Sequence, residues 1–355
     1  MKVCIVGDGL VSLTIAKALV NQGIYVDVFS NQKINKIDRS RTIGISKANI
    51  DFFNENILNI KELLWDINKI EIYSENLKNE KILNFQHNNK KLFSIIKNFE
   101  LYEHLILALK KNTFFKQKKN SKKILTKNYR LILNCDIDSF FTKKFFSKKL
   151  NKNYHSYAHI TIIEHEKILN NDTATQTFTK KGPLAFLPIS DTKTSVVYSA
   201  RGLKKIDLEY VLKKYNFKYS IIKINQISSV KLKSVNLRNY YFENILAFGD
   251  LLHKLHPLAG QGFNMSIRDI ILLMDLIKFK LNHGLELDKS ICVDFENKIK
   301  HKNHIFSSSI DFIYEFFNLE SRTNNSILSN SVKALGNNRY VNKFFTKIAD
   351  SGMEI

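Results

Sequence analysis

Cysteine is scarce in this chain of 355 residues. There are three, Cys4, Cys135 and Cys292, scattered without the spacing of a zinc site or a redox pair. That excludes a disulfide framework and argues for a reducing compartment. No apolar run approaches the roughly 18 residues of a spanning helix. The best stretch, Ile270 to Ile277, is short and contains Asp275. The first residues run straight into a strand pattern, so no signal peptide is expected, and a cytoplasmic location is. Arginine, glycine, proline and alanine are few, while lysine, asparagine and isoleucine are abundant. With 44% hydrophobic and 25% charged residues the chain reads as globular rather than disordered.

The net charge is +22. Such a field attracts nucleic acid or an anionic membrane surface. The basic residues are spread over both halves, densest at 116–127 and 143–152, and no nucleic-acid motif accompanies them. Compositional drift towards lysine accounts for most of the charge, and nucleic acid is not an expected partner.

Residues 2–29 read as strand, tight turn, helix and strand, a βαβ unit. A helix is expected over 42–66, a strand at 70–76 and a helix at 99–112. Residues 113–130 are lysine-rich and read as an exposed loop or hairpin. A strand follows at 129–139. Alternation at 159–166, 174–179, 183–190 and 194–200 predicts antiparallel strands. Residues 207–225 read as helix, 244–250 as a buried strand, and the rest, after a glycine-bearing loop, as helical to the end. The fold class expected is mixed α/β. A Rossmann-like cofactor domain (1–70, 124–150 and 240–282) is interrupted by an antiparallel substrate domain (71–123 and 151–239). A helical region, 283–355, closes the chain.

Gly7-Asp8-Gly9-Leu10-Val11-Ser12 lies where strand passes into helix. Glycines there permit a sharp turn and let backbone N–H groups approach a pyrophosphate, which the helix N-terminus also favours. Two positions depart from the dinucleotide fingerprint. Ser12 stands for the third glycine, and Ser30 for the acidic residue that usually meets the ribose. A ligand-free βα turn is the alternative.

The second motif is LAFGDLLHKLHPLAGQGFNMSIRD, 246–269. A strand delivers Gly249 and Asp250 to its carboxyl end, where ligands collect in open α/β sheets. Pro257, Gly260 and Gly262 shape a loop for close approach to a flat ligand. The helix that follows aims its N-terminus at that ligand. His253, His256 and Arg268 could equally be structural.

This stretch resembles the GD…HPxxGQGxN segment of the class A FAD-dependent monooxygenases, the p-hydroxybenzoate hydroxylase superfamily. Its wording is most like the ubiquinone-biosynthesis hydroxylases. RSRTIGIS (39–46) and GPLAFLP (182–188) resemble further segments in family order. The resemblance implies FAD as cofactor, held by Gly7, Gly9, Ser12, Ser30, Arg41, Asp136, Gly249, Asp250, Pro257, Gly260, Gly262 and Asn264. Pro257 and Gln261 would shape the flavin face, with no protein base assignable and no metal.

It further implies NADPH or NADH as reductant, a flavin C4a-hydroperoxide as oxygen donor and a polyprenylated phenol or benzoquinone precursor as substrate. Peripheral contact with the inner face of a membrane and with other ubiquinone-pathway proteins would follow. The family's GADG-type segment is here Asn134-Cys135-Asp136-Ile137, which bears on nicotinamide-driven reduction more than on flavin binding. Two other readings stay open: a flavoprotein-like scaffold without turnover, and a hydroxylase of a soluble aromatic acid using Arg201, His159 or Lys181.

Overall fold

The structure, a computed structural model, describes residues 1–30, 38–86, 91–119, 124–202, 204–256 and 261–323. In chain order the strands are β1 (Lys2–Val6), β2 (Tyr25–Ser30), β3 (Thr42–Ser46), β4 (Trp65–Ile67), β5 (Lys69–Ser74) and β6 (Glu80–Gln86). Then come β7 (Phe93–Lys97), β8 (Phe115–Lys119), β9 (Leu131–Asn134), β10 (Lys149–His165), β11 (Thr173–Thr179) and β12 (Gly182–Pro188). The last are β13 (Lys193–Arg201), β14 (Ile221–Ile224), β15 (Ser228–Leu237), β16 (Tyr241–Phe242), β17 (Ile245–Ala247) and β18 (His253–Lys254). The helices are α1 (Leu10–Val20), α2 (Lys47–Asn56), α3 (Asn98–Lys110), α4 (Phe140–Phe145), α5 (Leu208–Tyr215), α6 (Gln261–Asn282) and α7 (Lys289–Thr323).

The first sheet runs β16-β17-β9-β1-β2-β8 and is parallel except for the β16–β17 hairpin. Its central strands are buried on both faces, as a parallel sheet between helices requires. This is why β1 and β9 read as uninterrupted apolar runs. The second sheet runs β18-β15-β10-β13-β12-β11-β5-β6, with β14 also on β10. It is antiparallel apart from the β11–β5 pair. The third sheet is three-stranded, β3-β7-β4, and Thr42 Oγ1 donates to Ser195 Oγ at 2.9 Å to join it to the second sheet.

Three sequence expectations need correction. The helix expected over 42–66 is a strand, a shorter helix and a second strand, because 42–46 pairs with β7 instead of winding. The stretch 207–225 ends its helix at Tyr215, and Ile221–Ile224 becomes β14 against the long edge of β10.

The third correction concerns the lysine-rich stretch read as loop within the substrate domain. Residues 115–119 form β8, which pairs in parallel with β2 in the first sheet, and α3 packs against α1. The cause is electrostatic. Asp27 on β2 is almost fully buried and takes Lys2 at 2.8 Å, Lys118 at 2.7 Å and the Tyr129 hydroxyl at 2.6 Å. A buried carboxylate needs such partners, and Lys118 reaches it only if 115–119 lies beside β2. Burial raises the Asp27 carboxyl, but hydrogen bonds from Lys118, Lys2 and Tyr129 outweigh it and hold the group below its usual range.

Candidate functional site

β1, β9 and β17 are adjacent and parallel, so their carboxyl ends open side by side. The glycine loop, the 134–139 turn and Gly249 meet there. Gly7 sits at φ +106°, and a Cβ on it would lie 3.3 Å from the Asp136 amide nitrogen. Its N–H donates to Phe29 O at 2.8 Å, which pins the turn to β2. Gly9 caps α1 without a side-chain hydrogen bond, and a Cβ there would meet nothing within 4 Å. The face above the helix N-terminus is therefore open. Ser12 is buried beneath it, beside Gly7 and Cys135, in the packing position of a third glycine.

The 134–139 turn replaces the expected glycines with side-chain hydrogen bonds. Asn134 donates to Thr142 Oγ1 at 2.8 Å and accepts from Ser139 Oγ at 3.0 Å. Thr142 Oγ1 donates to Asp136 O at 2.6 Å, and Asp138 N–H donates to the Asp136 carboxylate at 2.8 Å. Ile137 is 51% exposed, so its side chain is turned out of the turn. Sequence reading missed Ser139 and Thr142. The Ser139 N-cap of α4 was their one local signal.

Gly249 has φ +64°, and a Cβ there would come 3.3 Å from Val11 Cγ1. The loop after β17 thus touches the start of α1. Asp250 is exposed, with Lys254 3.9 Å away. Arg41 is exposed at the start of β3, beside Asp38. Pro257 and Gly260 lie outside the described residues. Gln261 opens α6 with a buried Oε1 that has no hydrogen-bond partner, and a Cβ on Gly262 would meet nothing within 4 Å.

Asn264, expected to contact the cofactor, ties three elements together with its side chain. It donates to Gly44 O at 2.8 Å, accepts from Ser46 N–H at 3.0 Å and accepts from Asn49 at 2.9 Å. These bonds occupy a side chain 3% exposed and fasten the first turn of α6 to β3 and α2. A short Asn amide near a glycine loop gives no sequence signal that separates the two roles.

His253 and His256 also separate. His253 Nε2 pairs with Asp269 inside the core, and Asn303 donates to the same carboxylate at 3.2 Å. His256 lies between the rings of Tyr154 (4.8 Å) and Tyr314 (4.3 Å) with neither ring nitrogen hydrogen-bonded. Burial, and then the charge of Lys152, push its pKa down to about 3. Arg268 lays its guanidinium 4.5 Å from the Phe306 ring and leaves one buried nitrogen unpaired. The apolar residues of this part of α7 split accordingly. Phe306, Ile310 and Tyr314 are core against the second sheet, while Phe312 and Ile313 are exposed.

A histidine whose folded pKa is below its unfolded value makes acid destabilising. The unfolded chain takes up a proton as pH falls through about 6.5, and the folded chain does not until about 3. Stability is therefore full above that window and falls by about 1.4 kcal/mol per pH unit within it. His256→Phe, which keeps a ring between the two tyrosines, is expected to remove that slope in urea titrations at pH 6 and pH 4. An unchanged slope would place the effect elsewhere.

These features fit FAD. Gln261 opens α6 with a buried Oε1 that has no partner, and the Gly9 and Gly262 positions leave room for a ligand. Comparison with known proteins agrees. Residues 210–284 match the model of the FAD binding domain family. A mitochondrial ubiquinone biosynthesis monooxygenase of Schizosaccharomyces pombe is 21% identical, over 58% of this chain and 53% of that protein. The 3-demethoxyubiquinol 3-hydroxylase of Escherichia coli is 26% identical, over 41% of this chain and 40% of that protein. The chain thus spans about half the length of the curated relatives it matches, or less.

Among solved structures, p-nitrophenol 4-monooxygenase of Pseudomonas putida superposes with a TM-score of 0.80 at 12% identity, over 99% of this chain and 98% of that one. The Klebsiella pneumoniae protein HpxO, solved with FAD and uric acid, gives 0.76 at 12% identity, over 99% and 97%.

Proposed function

We propose that this chain, which has the fold of the class A FAD-dependent monooxygenases, is an aromatic-ring hydroxylase of ubiquinone biosynthesis. The observation that carries the proposal is the convergence of the glycine loop, the 134–139 turn and Gly249-Asp250 at adjacent strand ends, with the orphaned Gln261 opening α6. Relatives named a ubiquinone biosynthesis monooxygenase and a 3-demethoxyubiquinol 3-hydroxylase support this reading, in which the substrate is a polyprenylated phenol or benzoquinone precursor.

When bound, FAD supplies the redox chemistry, reduction by a nicotinamide and activation of oxygen. The protein's part is position and exclusion of water. The N–H groups at the start of α1, reached over Gly9, suit the pyrophosphate. Asp250 is exposed beside Gly249 to accept hydrogen bonds from sugar or ribityl hydroxyls. The start of α6 favours negative charge on the reduced ring system, and the free Gln261 Oε1 can accept a ring N–H. The His253–Asp269 pair ties β18 to α6.

NADPH or NADH is the reductant we propose, and a membrane surface the place where so apolar a substrate is met. No helix among the described residues is long and apolar enough to cross a membrane. A second reading, hydroxylation of a soluble aromatic acid, draws on Arg201. Its Nε is buried without a partner, on β13 opposite Ser156, whose hydroxyl lies 2.9 Å from that of Tyr314. His159, on β10, is buried with its Nδ1 hydrogen-bonded to Ser229.

The test is the visible spectrum of the purified protein and its response to NADPH or NADH without oxygen. A flavin band at about 450 nm, as for any oxidised flavin, that bleaches with a nicotinamide is expected. Flavin that binds and does not bleach points to another donor. No flavin after reconstitution with excess FAD leaves only a scaffold.

A further inference from the structure

The resemblance expects an acidic residue where the second strand ends, and Ser30 stands there. The fold brings a carboxylate to that place from the neighbouring turn. Ser30 Oγ donates a hydrogen bond to the Asp8 carboxylate, so the Asp8 side chain reaches from the β1–α1 turn to the carboxyl end of β2. The backbone on either side favours this reach. Gly7 is at φ +106° and Gly9 is extended, at φ −69° and ψ 174°, before the helix begins.

Asp8 is half-buried, and no lysine or arginine among the described residues pairs with it. Ser30 engages one oxygen, Oδ2, and the other is left to accept from something else. Tyr102 on α3 borders the same spot. Its phenol is pushed above its usual value by burial first and by the Asp8 charge second. The aspartate at a variable position between the glycines and the serine that departs from the fingerprint at the strand end therefore meet in one hydrogen bond.

We propose that Asp8 is the ribose-binding acid of this chain, accepting hydrogen bonds from the hydroxyls of the adenosine ribose of FAD while Ser30 holds it in place. The proposal rests on the FAD reading above. The carboxylate has moved from the strand end to the turn without leaving the place where a ribose would lie. The N–H groups at the start of α1 offset the repulsion between that carboxylate and a neighbouring pyrophosphate. A carboxylate there also disfavours a dinucleotide with a 2′-phosphate on that ribose.

The test is FAD titration of the apoprotein followed by flavin fluorescence. Asp8→Asn is expected to weaken binding by about 10- to 100-fold, the usual worth of a hydrogen bond to a charged group. Asp8→Asn combined with Ser30→Glu, which returns the carboxylate to the strand end, is expected to recover most of that loss. An FAD analogue lacking the adenosine 2′-hydroxyl should bind the unaltered chain more weakly than FAD and bind Asp8→Asn no more weakly than FAD does. That readout is insensitive to a general loosening of the fold. Equal FAD affinity of Asp8→Asn and the unaltered chain overturns the proposal, and so does a double variant as weak as the single one. An unaltered chain that binds no FAD takes down the FAD reading with it, a different and recognisable result.

Discussion

Gly182→Ala is expected to destabilise the protein by about 3–5 kcal/mol, the range of strained and overpacked sites. Gly182 begins β12 at φ +138°, and a Cβ there would sit 2.0 Å from the Ser199 carbonyl oxygen and 3.3 Å from its carbon. Both obstacles are backbone, so no rotamer relieves them. Ser199 lies on β13, which is held to β12 by the Leu184–Tyr198 register and to β10 by Ala158. On the other side Thr179 Oγ1 donates to Gly182 O at 2.7 Å and accepts from its N–H at 3.2 Å. Moving either strand breaks a ladder in the middle of the second sheet. Gly202→Ala is the control. It shares a positive φ, +69°, but a Cβ there meets nothing within 4 Å, so only about 1 kcal/mol of conformational cost is expected. Urea unfolding of the two variants separates them, and similar midpoints would show that the Ser199 contact relaxes.

Gly182 belongs to the GPLAFLP phrase, which was readable as a resemblance long before its glycine could be given a reason. Other parts of the fold were legible on physical grounds alone. β1, α1 and β2 announce themselves because a parallel strand buried on both faces leaves a continuous apolar run, and because Gly7 and Gly9 mark the turn. The segments 115–119 and 42–46 were not legible. FKQKK has no strand signature of its own, and its place is fixed by a carboxylate 91 positions earlier in the chain, Asp27, which needs Lys118. TIGIS is apolar enough for either state, and pairing with β7 decides. In the site, the glycines were readable and the side-chain ties were not. Asn264 acts through partners 218 and 220 positions away, whereas Ser139 and Thr142 bond within their own turn, where the N-cap is the one sequence signal. Asp8 was hidden for the opposite reason, because it occupies a variable position of a pattern defined by its glycines.

Asp269→Ala is expected to cost a similar amount, about 3–5 kcal/mol, the usual penalty for removing one member of a buried pair. Asp269 is fully buried on α6, His253 on β18 is 2% exposed, and Asn303 on α7 is 6% exposed. One carboxylate therefore joins two long helices to β18. Its loss leaves the imidazole and an amide in the core without an acceptor. Asn303→Ala removes only the weaker contact and should cost about 1–2 kcal/mol. The decisive comparison is the cycle of Asp269→Ala, His253→Ala and the double variant. Removing His253 as well takes away the orphan that Asp269→Ala creates, so the double variant should lose clearly less than the sum of the singles. Additive losses would mean that the two side chains stabilise α6 and β18 separately. Because Asp269 holds β18, which precedes Gln261 by seven positions (261 − 254), Asp269→Ala is also expected to release FAD more readily than Asn303→Ala does. Flavin retained on a desalting column, compared at equal residual fold by circular dichroism, reads that difference. Equal retention would confine the pair to a purely stabilising role.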